Sequence, residues 1–347
     1  MREYRVGIVG AGGAVGQEMI KVLEKSPLPV TELRLFATER SAGRRVHFRG
    51  GEYVIEPTAP DRFADLDFAL FSAGGGPSRE LAPEAVERGV VVIDNSSAWR
   101  MDPNVPLVVP EVNGEVLSEK GAYAGAKLIA NPNCSTIQMV MVLKPIHDAA
   151  RIKRVVVSTY QAVSGTGHKA VVELEEQIRA YVEGRVARAG TAENKVYPHQ
   201  IAFNILPHID KFDETGYTAE EWKMVRETKK ILGDETIQVT ATTVRVPVFR
   251  GHSEAVNIET ERKLTPAEAK RILAEAPGVV LVDEPSANLY PMPITAAGRD
   301  EVFVGRIRED FSIANGLNLW VVADNLLKGA ATNAVQIAVY LAERNLL

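Results

Sequence analysis

A glycine-rich turn near the start of the chain restricts the fold more than any other feature. An apolar run at residues 6–9 leads into Gly10-Ala11-Gly12-Gly13-Ala14-Val15-Gly16, and apolar residues at helical spacing follow over 19–23. Strand, glycine turn and helix in this order open a βαβ unit, whose turn lets the backbone approach a pyrophosphate. The glycines fit G-x-x-G-x-x-G, because Val15 stands where the strict G-x-G-x-x-G pattern requires glycine. The turn therefore predicts a dinucleotide site, and the alternative is a tight turn without a ligand.

Further apolar runs alternate with a helical pattern in the first 130 residues. Strands are predicted at 33–37, 68–73 and 90–94, and a helix over about 77–88. Short parallel strands that alternate with helices are typical of a doubly wound sheet, which binds its ligand at the carboxyl ends of the strands. We therefore predict a Rossmann-type α/β domain.

The pattern changes beyond residue 130. Helices are predicted after Cys134, over about 168–184 and 218–232, and from 324 to 343; strands are predicted at 155–159 and 317–322. The segments 236–246 and 253–260 alternate and are rich in β-branched residues, as antiparallel strands with one covered face are. These elements predict a second, α+β domain with a largely antiparallel sheet.

Composition and charge exclude several classes of protein. The chain has 347 residues, more than one ordinary domain, and its 46% hydrophobic and 24% charged residues are typical of a globular protein. The net charge is −5, with no basic stripe for nucleic acid and no polybasic patch for a membrane. Because no secretory signal or membrane-spanning run is seen, we expect a cytoplasmic protein.

The end of the second strand should select the nucleotide. The segment there reads Ala37-Thr38-Glu39-Arg40-Ser41. A carboxylate at this position usually holds the ribose 2′-OH of NAD, whereas an arginine accommodates the 2′-phosphate of NADP. We favour NADP through Arg40 with the hydroxyls of Thr38 and Ser41. An inward Glu39 would favour NAD, and Arg40 as a solvated loop charge is a further alternative.

Cys134 is the chain's only cysteine, so the chain cannot form an internal disulfide. It lies in the segment Asn131-Pro132-Asn133-Cys134-Ser135-Thr136, directly before a helical pattern. Near a helix N-terminus, the helix dipole and backbone N–H groups stabilise a thiolate and can hold an oxyanion. Polar neighbours favour a nucleophilic thiol, and a structural buried thiol is the alternative.

Segments along the whole chain resemble the aspartate-β-semialdehyde dehydrogenase family. NPNCS at 131–135 is similar to the nucleophile motif of that family. Other matching segments follow in the family's order: GAGGAVG at 10–16, NSSAWR at 95–100, YQAVSGTG at 160–167, EEWK at 220–223, RVPVFRGH at 245–252 and DNLLKGAATNAVQIA at 324–338. Gly12 departs from the family, which often has threonine there.

The resemblance implies a reaction, a cofactor and an assembly. The reaction is the reversible NADPH-dependent reduction of L-aspartyl-4-phosphate to L-aspartate-4-semialdehyde and phosphate through a cysteine thioester, in lysine, threonine and methionine biosynthesis. The assembly is a homodimer. Each chain would have an NADP-binding Rossmann domain, residues 1–130 plus about 324–347, and a catalytic and dimerisation domain, residues 131–323.

The resemblance also assigns catalytic roles. Cys134 is the nucleophile that expels phosphate and carries the thioester. His252 is the predicted acid/base, because an imidazole titrates near neutral pH; a structural histidine is the alternative. Gln161 matches the family residue that positions substrate near the thiol. The other five histidines show no metal-ligand spacing, so no metal is predicted.

Five further residues are predicted to bind substrate. Arg245 matches the ligand of the α-carboxylate, which a guanidinium can grip in bidentate fashion, and a surface ion pair is the alternative. Arg100 and Lys223 match the cations that bind the leaving phosphate, with Asn133 as an amide donor. Glu220, one helical turn before Lys223, matches the ligand of the substrate amino group; an exposed i,i+3 ion pair is the alternative for these two.

The remaining predictions concern the cofactor. The glycine turn and the loops similar to cofactor-contacting loops of the family supply the following candidates: Gly10, Gly12, Gly13, Ala14, Val15, Gly16, Thr38, Arg40, Ser41, Gly74, Gly75, Ser164, Gly165 and Asn325.

Three alternative functions share features with this sequence. Glyceraldehyde-phosphate dehydrogenase shares the thioester chemistry, but its usual motif around the cysteine is absent. N-acetyl-glutamyl-phosphate reductase shares the architecture and the thioester chemistry, but its substrate has an acylated amine, for which a carboxylate such as Glu220 has no use. A catalytically inactive relative that acts as a binding module should have lost the nucleophile or the acid/base, yet Cys134, Gln161, Arg245 and His252 are all present.

Overall fold

The computed structural model describes residues 2–185 and 195–346. Residues 1, 186–194 and 347, which fall within the two predicted domains, lie outside it. The chain divides into two compact units, which we call the first unit (Met1–Asn133 and Gly329–Leu347) and the second unit (Cys134–Lys328).

Both units combine strands with helices. In chain order the described strands are β1 (Tyr4–Val9), β2 (Val30–Ala37), β3 (Arg45–Phe48), β4 (Gly51–Pro57), β5 (Phe68–Phe71), β6 (Val91–Asp94), β7 (Leu128–Ala130), β8 (Ile152–Gln161), β9 (Gln238–Arg245), β10 (His252–Thr260), β11 (Val279–Leu281), β12 (Val302–Asp310) and β13 (Gly316–Ala323). The described helices are α1 (Ala14–Lys25), α2 (Gly75–Glu87), α3 (Pro110–Asn113), α4 (Cys134–Ala150), α5 (His168–Val182), α6 (Ala219–Leu232), α7 (Pro266–Ala274), α8 (Pro293–Ala296) and α9 (Thr332–Glu343).

The first unit is built on a doubly wound sheet. Its described strands lie in the order β3-β4-β2-β1-β5-β6-β7, and every pairing is parallel except that of β3 with β4. Apolar residues of α1 and α9 join the core on one face of the sheet, and those of α2 join the core on the other. The predicted Rossmann-type architecture is confirmed. The strand order reverses between β1 and β5, where such sheets bind their ligands.

The second unit has a mixed sheet. Its described strands lie in the order β11-β12-β13-β10-β8-β9, with antiparallel pairings in the centre and a parallel pairing at each edge. The antiparallel prediction for 253–260 is confirmed, but for 236–246 it was wrong, because β9 pairs in parallel with β8. The connection from β8 to β9 passes through α5 and α6, and a parallel pair requires a long crossover of this kind.

One face of the second unit's sheet is covered. Helix α4 packs on β8, β10 and β13, and α6 packs on α4 and β9. Along β8, buried residues such as Thr159 and Gln161 alternate with half-buried ones such as Ser158 and Tyr160. The residues of the covered face therefore lie beneath α4, the helix that begins at Cys134.

The last predicted helix begins later than expected. Residues Leu327–Ala331 form a short π-helical segment, and α9 follows from Thr332. Asp324, predicted as helical, lies outside it: its Oδ1 accepts hydrogen bonds from the N–H groups of Leu326 and Leu327, as an N-cap side chain does. No helix among the described residues has the length and apolar composition that a membrane crossing requires.

Candidate active site

A cavity of about 590 Å³ opens where strands of the first unit end. Its walls come from the glycine turn after β1, the turn after β2, the end of β4 and the segment after β5. They include Gly10, Gly12, Gly13, Thr38, Glu39, Arg40, Ser41, Pro57, Thr58, Ser72, Ala73 and Pro77. This is the position at which a doubly wound sheet binds a nucleotide.

Two glycines of the turn cannot be replaced without a clash. Gly10 has φ +89°, and a Cβ there would lie 2.3 Å from the carbonyl oxygen of Ser72; a Cβ at Gly16 would lie 2.2 Å from that of Gly10. The N-cap Gly13 makes no side-chain hydrogen bond to α1. The N–H groups at the start of α1, including those of Ala14 and Val15, therefore have no side-chain cap, which suits an anion.

The turn after β2 supplies the rim of the cavity. Thr38, Glu39 and Arg40 are exposed, and Ser41 is half-buried. One acidic and one basic side chain thus line the same cavity. A Cβ at Gly12 would lie 2.5 Å from Ser41 Oγ, so the serine hydroxyl fills the space beside Gly12. Gly12 is the position at which the aspartate-β-semialdehyde dehydrogenase family often has threonine.

The segment after β5 was only partly predicted. Ser72 and Ala73 line the cavity. Gly74, with φ +87°, and Gly75 follow them and open α2. Ser72 and Ala73 directly follow a parallel strand, and the rule that ligands lie at carboxyl ends could have identified them.

Arg100 is held in place by backbone groups of the first unit. It is buried and follows β6. Its Nε donates to the carbonyl oxygen of Asn131 at 2.9 Å, and its Nη2 donates to that of Asn95 at 2.8 Å. The guanidinium is thereby fixed against the segment that leads to Asn133, the buried last residue of the unit's first stretch.

Cys134 is the first residue of α4, whereas the sequence predicts a helix that begins directly after it. It is partly exposed, whereas the next residues of the helix are buried. A sulfur at the start of a helix lies near the positive end of the helix dipole, which stabilises the thiolate. Cys134 is not fully buried, which argues against the alternative of a sealed structural cysteine.

His252 and Arg245 are anchored to the same residue. The Ala162 N–H donates to His252 Nδ1 at 3.0 Å, and Arg245 Nη1 donates to the Ala162 carbonyl at 2.6 Å. Because Nδ1 accepts this bond, a neutral ring carries its proton on Nε2. Both side chains are buried, and His252 Nε2 and Arg245 Nε have no hydrogen-bond partner in the part of the chain that the structure describes. A ligand with acceptor oxygens could satisfy both atoms.

Gly165 borders both of these side chains. A Cβ built on it would lie 3.1 Å from Arg245 Nη1 and 3.3 Å from His252 Nε2. Those contacts are tighter than side chains normally make, so a residue without a Cβ leaves room beside the guanidinium and the imidazole. Gly165 was predicted as a cofactor residue, and the structure places it next to the predicted acid/base.

Burial and charge make His252 a weak base in this structure. The pKa of His252 is lowered from 6.5 to about 3, mainly by burial and in addition by the nearby Arg245 guanidinium, while Glu220 opposes the shift. The pKa of the imidazole therefore depends on the charge beside it. An anion bound to Arg245 would raise it toward neutrality.

Gln161, Glu220 and Lys223 form one chain of contacts. Gln161 Nε2 donates to Glu220 Oε1 at 3.1 Å, and Lys223 Nζ donates to Glu220 Oε2 at 3.0 Å and to Asp210 Oδ2 at 2.9 Å. Burial lowers the pKa of Lys223, but the two carboxylates raise it more, so it lies above its usual 10.5. Glu220 is buried, which excludes the alternative of a fully exposed ion pair.

Two predicted cofactor residues of the second unit contact each other. Asn325 Nδ2 donates to Ser164 Oγ at 3.0 Å, and Asn325 Oδ1 accepts from the Gly251 N–H at 2.9 Å. In the chain, Ser164 directly precedes Gly165, and Gly251 directly precedes the start of β10. Among the described residues, no group of three His, Cys, Asp or Glu side chains is placed to hold a metal ion.

Known proteins resemble the chain from end to end. Residues 5–120 match the semialdehyde dehydrogenase NAD binding domain, and residues 143–328 match the semialdehyde dehydrogenase dimerisation domain. Aspartate-semialdehyde dehydrogenase of Aquifex aeolicus is 58% identical over 345 residues, which cover 99% of each chain. The chain belongs to the aspartate-semialdehyde dehydrogenase family. The resemblance inferred from the motifs is thereby confirmed.

Solved structures of this family have the same fold. Aspartate semialdehyde dehydrogenase II from Vibrio cholerae, complexed with ASA, matches with a TM-score of 0.93 and 46% identity over 99% of each chain. Aspartate semialdehyde dehydrogenase with NADP from Candida albicans matches with a TM-score of 0.77 and 27% identity over the full length of both chains.

The site residues predicted from the family resemblance are divided between the two units. The first unit holds the glycine turn, the rim after β2, Gly74, Gly75, Arg100 and Asn133. The second unit holds Cys134, Gln161, Ser164, Gly165, Glu220, Lys223, Arg245, His252 and Asn325. Sequence reasoning missed Pro57 and Thr58 of the cavity, whose residue types carry no signal of nucleotide binding.

Proposed function

We propose that this chain catalyses the reversible NADPH-dependent reduction of L-aspartyl-4-phosphate to L-aspartate-4-semialdehyde and phosphate. The observation that carries the proposal is the placement of Cys134 at the start of α4, a helix packed on the strand that begins at His252. The names of the relatives, which match over the full length, support the same substrate.

In the reducing direction, the Cys134 thiolate attacks the acyl carbon of the acyl phosphate. The C–S bond forms and the C–O bond to phosphate breaks, so that phosphate leaves and a thioester remains. N–H groups in the first turn of α4 stabilise the oxyanion that forms in this step. Arg100, Lys223 and Asn133 are the proposed ligands of the phosphate.

The first unit is proposed to bind the cofactor. The uncapped start of α1 and the glycines with no room for a Cβ fit a pyrophosphate, and Arg40 with Thr38 and Ser41 fits a 2′-phosphate. Bound NADPH supplies the hydride that reduces the thioester. The Candida albicans relative, which was solved with NADP, supports NADP over NAD.

Arg245 and His252 are proposed to act together. Arg245 binds the substrate α-carboxylate, and this anion offsets the guanidinium charge that lowers the pKa of His252. The imidazole then becomes a better base. To take the thiol proton or the proton of the thiohemiacetal hydroxyl at Nε2, it must carry its own proton on Nδ1, which requires that the Ala162 N–H no longer donates to Nδ1 when substrate binds. Loss of that proton lets the thiohemiacetal collapse to the aldehyde and regenerate the thiolate.

Glu220 distinguishes the two candidate substrates. Its carboxylate already contacts Lys223 and Gln161, and the protonated amino group of an aspartyl substrate adds a further cation for it. The acylated amine of N-acetyl-glutamyl phosphate carries no charge. We therefore favour the aspartyl substrate over the N-acetyl-glutamyl one.

We further propose a homodimer in the cytoplasm. The second unit matches a dimerisation domain, and its sheet has a half-exposed face that includes Ser158, Tyr160, Ala255 and Trp320. A second copy of the chain would cover this face.

An assay with two aldehydes tests the proposed function. Formation of NADPH should require phosphate and L-aspartate-4-semialdehyde, and N-acetyl-glutamate semialdehyde should give little. The reverse preference would assign the reductase alternative. Absence of activity in folded protein that binds NADPH would favour the inactive binding module.

A further inference from the structure

Glu254 is a buried acid for which the proposed reaction has no role. It lies on β10 two residues after His252, and its side chain is fully buried. Alternate residues of a strand share a face, so both side chains point to the side of the sheet that α4 covers. Directly across from Glu254 on β8 lies Thr159, whose hydroxyl donates to Gln161 Oε1 at 3.0 Å.

Within the part of the chain that the structure describes, the carboxyl group of Glu254 forms no ion pair. Neither of its oxygens accepts a hydrogen bond from a donor among residues 2–185 and 195–346. Burial raises the pKa of Glu254 well above 4.5, and the polar group that opposes this shift is the Gln138 amide. An ionised carboxylate in such a place is costly, so burial favours the neutral acid, which has one O–H to donate.

Gln138 connects the acid to the helix of the nucleophile. It is buried on α4, one turn after Cys134, and on the same face of the helix. Its Nε2 donates to the backbone carbonyl of His252 at 3.4 Å, and its Oε1 has no acceptor bond in the described part of the chain. The amide oxygen is thus a ready acceptor for the proton of Glu254.

We propose that Glu254 and Gln138 form a neutral buried link that positions Cys134 relative to His252. In this link the Glu254 O–H donates to Gln138 Oε1, while Gln138 Nε2 donates to the His252 carbonyl. It holds the start of α4 against the start of β10. Both are positioning residues. Their proposed role rests on the proposed function, in which the Cys134 thiol and the His252 imidazole must act on the same substrate molecule.

Four variants test this link: Glu254→Gln, Glu254→Met, Gln138→Met and the double variant Glu254→Met/Gln138→Met. Glutamine keeps the size, the neutrality and a donor, whereas methionine keeps only the size. Misplacement of reacting groups by about 1 Å can cost on the order of 10²-fold, so we expect each methionine variant to lower kcat by about 10-fold or more. The KM for NADP should not change, and iodoacetamide should alkylate Cys134 more slowly.

The conservative and double variants separate positioning from general packing. Glu254→Gln should restore kcat and the alkylation rate to near the wild-type values. The double variant should lose no more than the more impaired single variant, because both changes break one link. Thermal unfolding and NADPH binding confirm the fold of each variant. If Glu254→Met does not fold, Gln138→Met provides the same comparison with the wild type.

Three results would overturn the link. One is a wild-type kcat and alkylation rate in both methionine variants. Another is a Glu254→Gln variant as impaired as Glu254→Met, which would mean that an ionised carboxylate is needed. The third is fully additive losses in the double variant. Alkylation requires no substrate, so failure of wild-type protein to turn over aspartate semialdehyde would refute the proposed function while the alkylation rates still test the link.

Discussion

Gln161 donates a hydrogen bond from Nε2 to Glu220 Oε1 across 3.1 Å, and both side chains are buried. The amide is therefore oriented by the carboxylate, and its Oε1 accepts from the Thr159 hydroxyl at 3.0 Å. A side chain that is held at both ends presents one fixed arrangement to a substrate. The substrate-binding role proposed for Glu220 would therefore include the orientation of Gln161.

Glu220→Gln should raise the KM for L-aspartate-4-semialdehyde. A hydrogen bond to a charged group contributes about 1.5–3 kcal/mol, so we expect an increase of about 10- to 100-fold. Steady-state kinetics with varied aldehyde measure it, and Glu214→Gln, a change to an exposed carboxylate, is the control for net charge. An unchanged KM would contradict the assignment of Glu220 as the ligand of the substrate amino group.

Arg40→Ala should weaken NADPH binding much more than NADH binding. The loss of charge-assisted hydrogen bonds to a 2′-phosphate predicts a Kd for NADPH about 10- to 100-fold higher. Nucleotide titrations of the purified variant measure both constants. Glu39→Gln, a neighbour on the same rim, should leave NADPH binding similar or stronger. Equal losses for both nucleotides in Arg40→Ala would refute the 2′-phosphate assignment.

Gly165→Ala should impair catalysis without unfolding the protein. The new methyl group would lie 3.1 Å from Arg245 Nη1 and 3.3 Å from His252 Nε2, so one of the two side chains must move. Since a displacement of about 1 Å can cost on the order of 10²-fold, we expect kcat/KM for the aldehyde to fall by about 10- to 100-fold. Kinetics and thermal unfolding are measured on the same preparation. Wild-type kinetics would show that the space beside Gly165 is not used by substrate.

The free energy of unfolding should depend on pH in a way that reflects the low pKa of His252. The pKa is 6.5 in the unfolded chain and about 3 in the fold, so between these values the unfolded chain binds a proton that the folded chain does not. The free energy of unfolding should fall by about 2 kcal/mol from pH 7 to pH 5 through this group, at about 1.36 kcal/mol per unit. Denaturant unfolding of wild-type protein and His252→Asn at both pH values isolates the contribution. An identical pH dependence would contradict the burial of a neutral imidazole.

Local features were predictable from the sequence because local chemistry determines them. A Cβ at Gly10 or Gly16 would clash with nearby backbone atoms, so the turn requires glycine at both positions. Cys134 lies at a helix start because the apolar pattern of α4 begins directly after it. The residues that carry the family resemblance were identified from motifs of this kind.

Long-range pairings were not predictable in the same way. The parallel pairing of β9 depends on the path of the chain through α5 and α6, which alternation in residues 236–246 does not reveal. Pro57 and Thr58 line the cavity because β4 lies beside β2, with Pro57 opposite Ala37. That register is a property of the assembled sheet.

The buried position of Glu254 could not be explained from the sequence pattern alone. The alternation of β10 predicts a covered face, and an acid on that face conflicts with the pattern. The sequence offered no sign that Gln138, more than a hundred residues earlier, would face it. Such conflicts between pattern and burial identify residues whose role depends on tertiary contacts.

Alkylation of Cys134 tests the central claim most directly, because the chain has one cysteine and one site of modification. Iodoacetamide should abolish phosphate-dependent NADPH formation in proportion to the fraction of protein modified, while NADPH still binds. Cys134→Ala should be inactive and should take up no label. Full activity of protein that mass spectrometry shows to be fully alkylated would contradict a thioester mechanism at this residue.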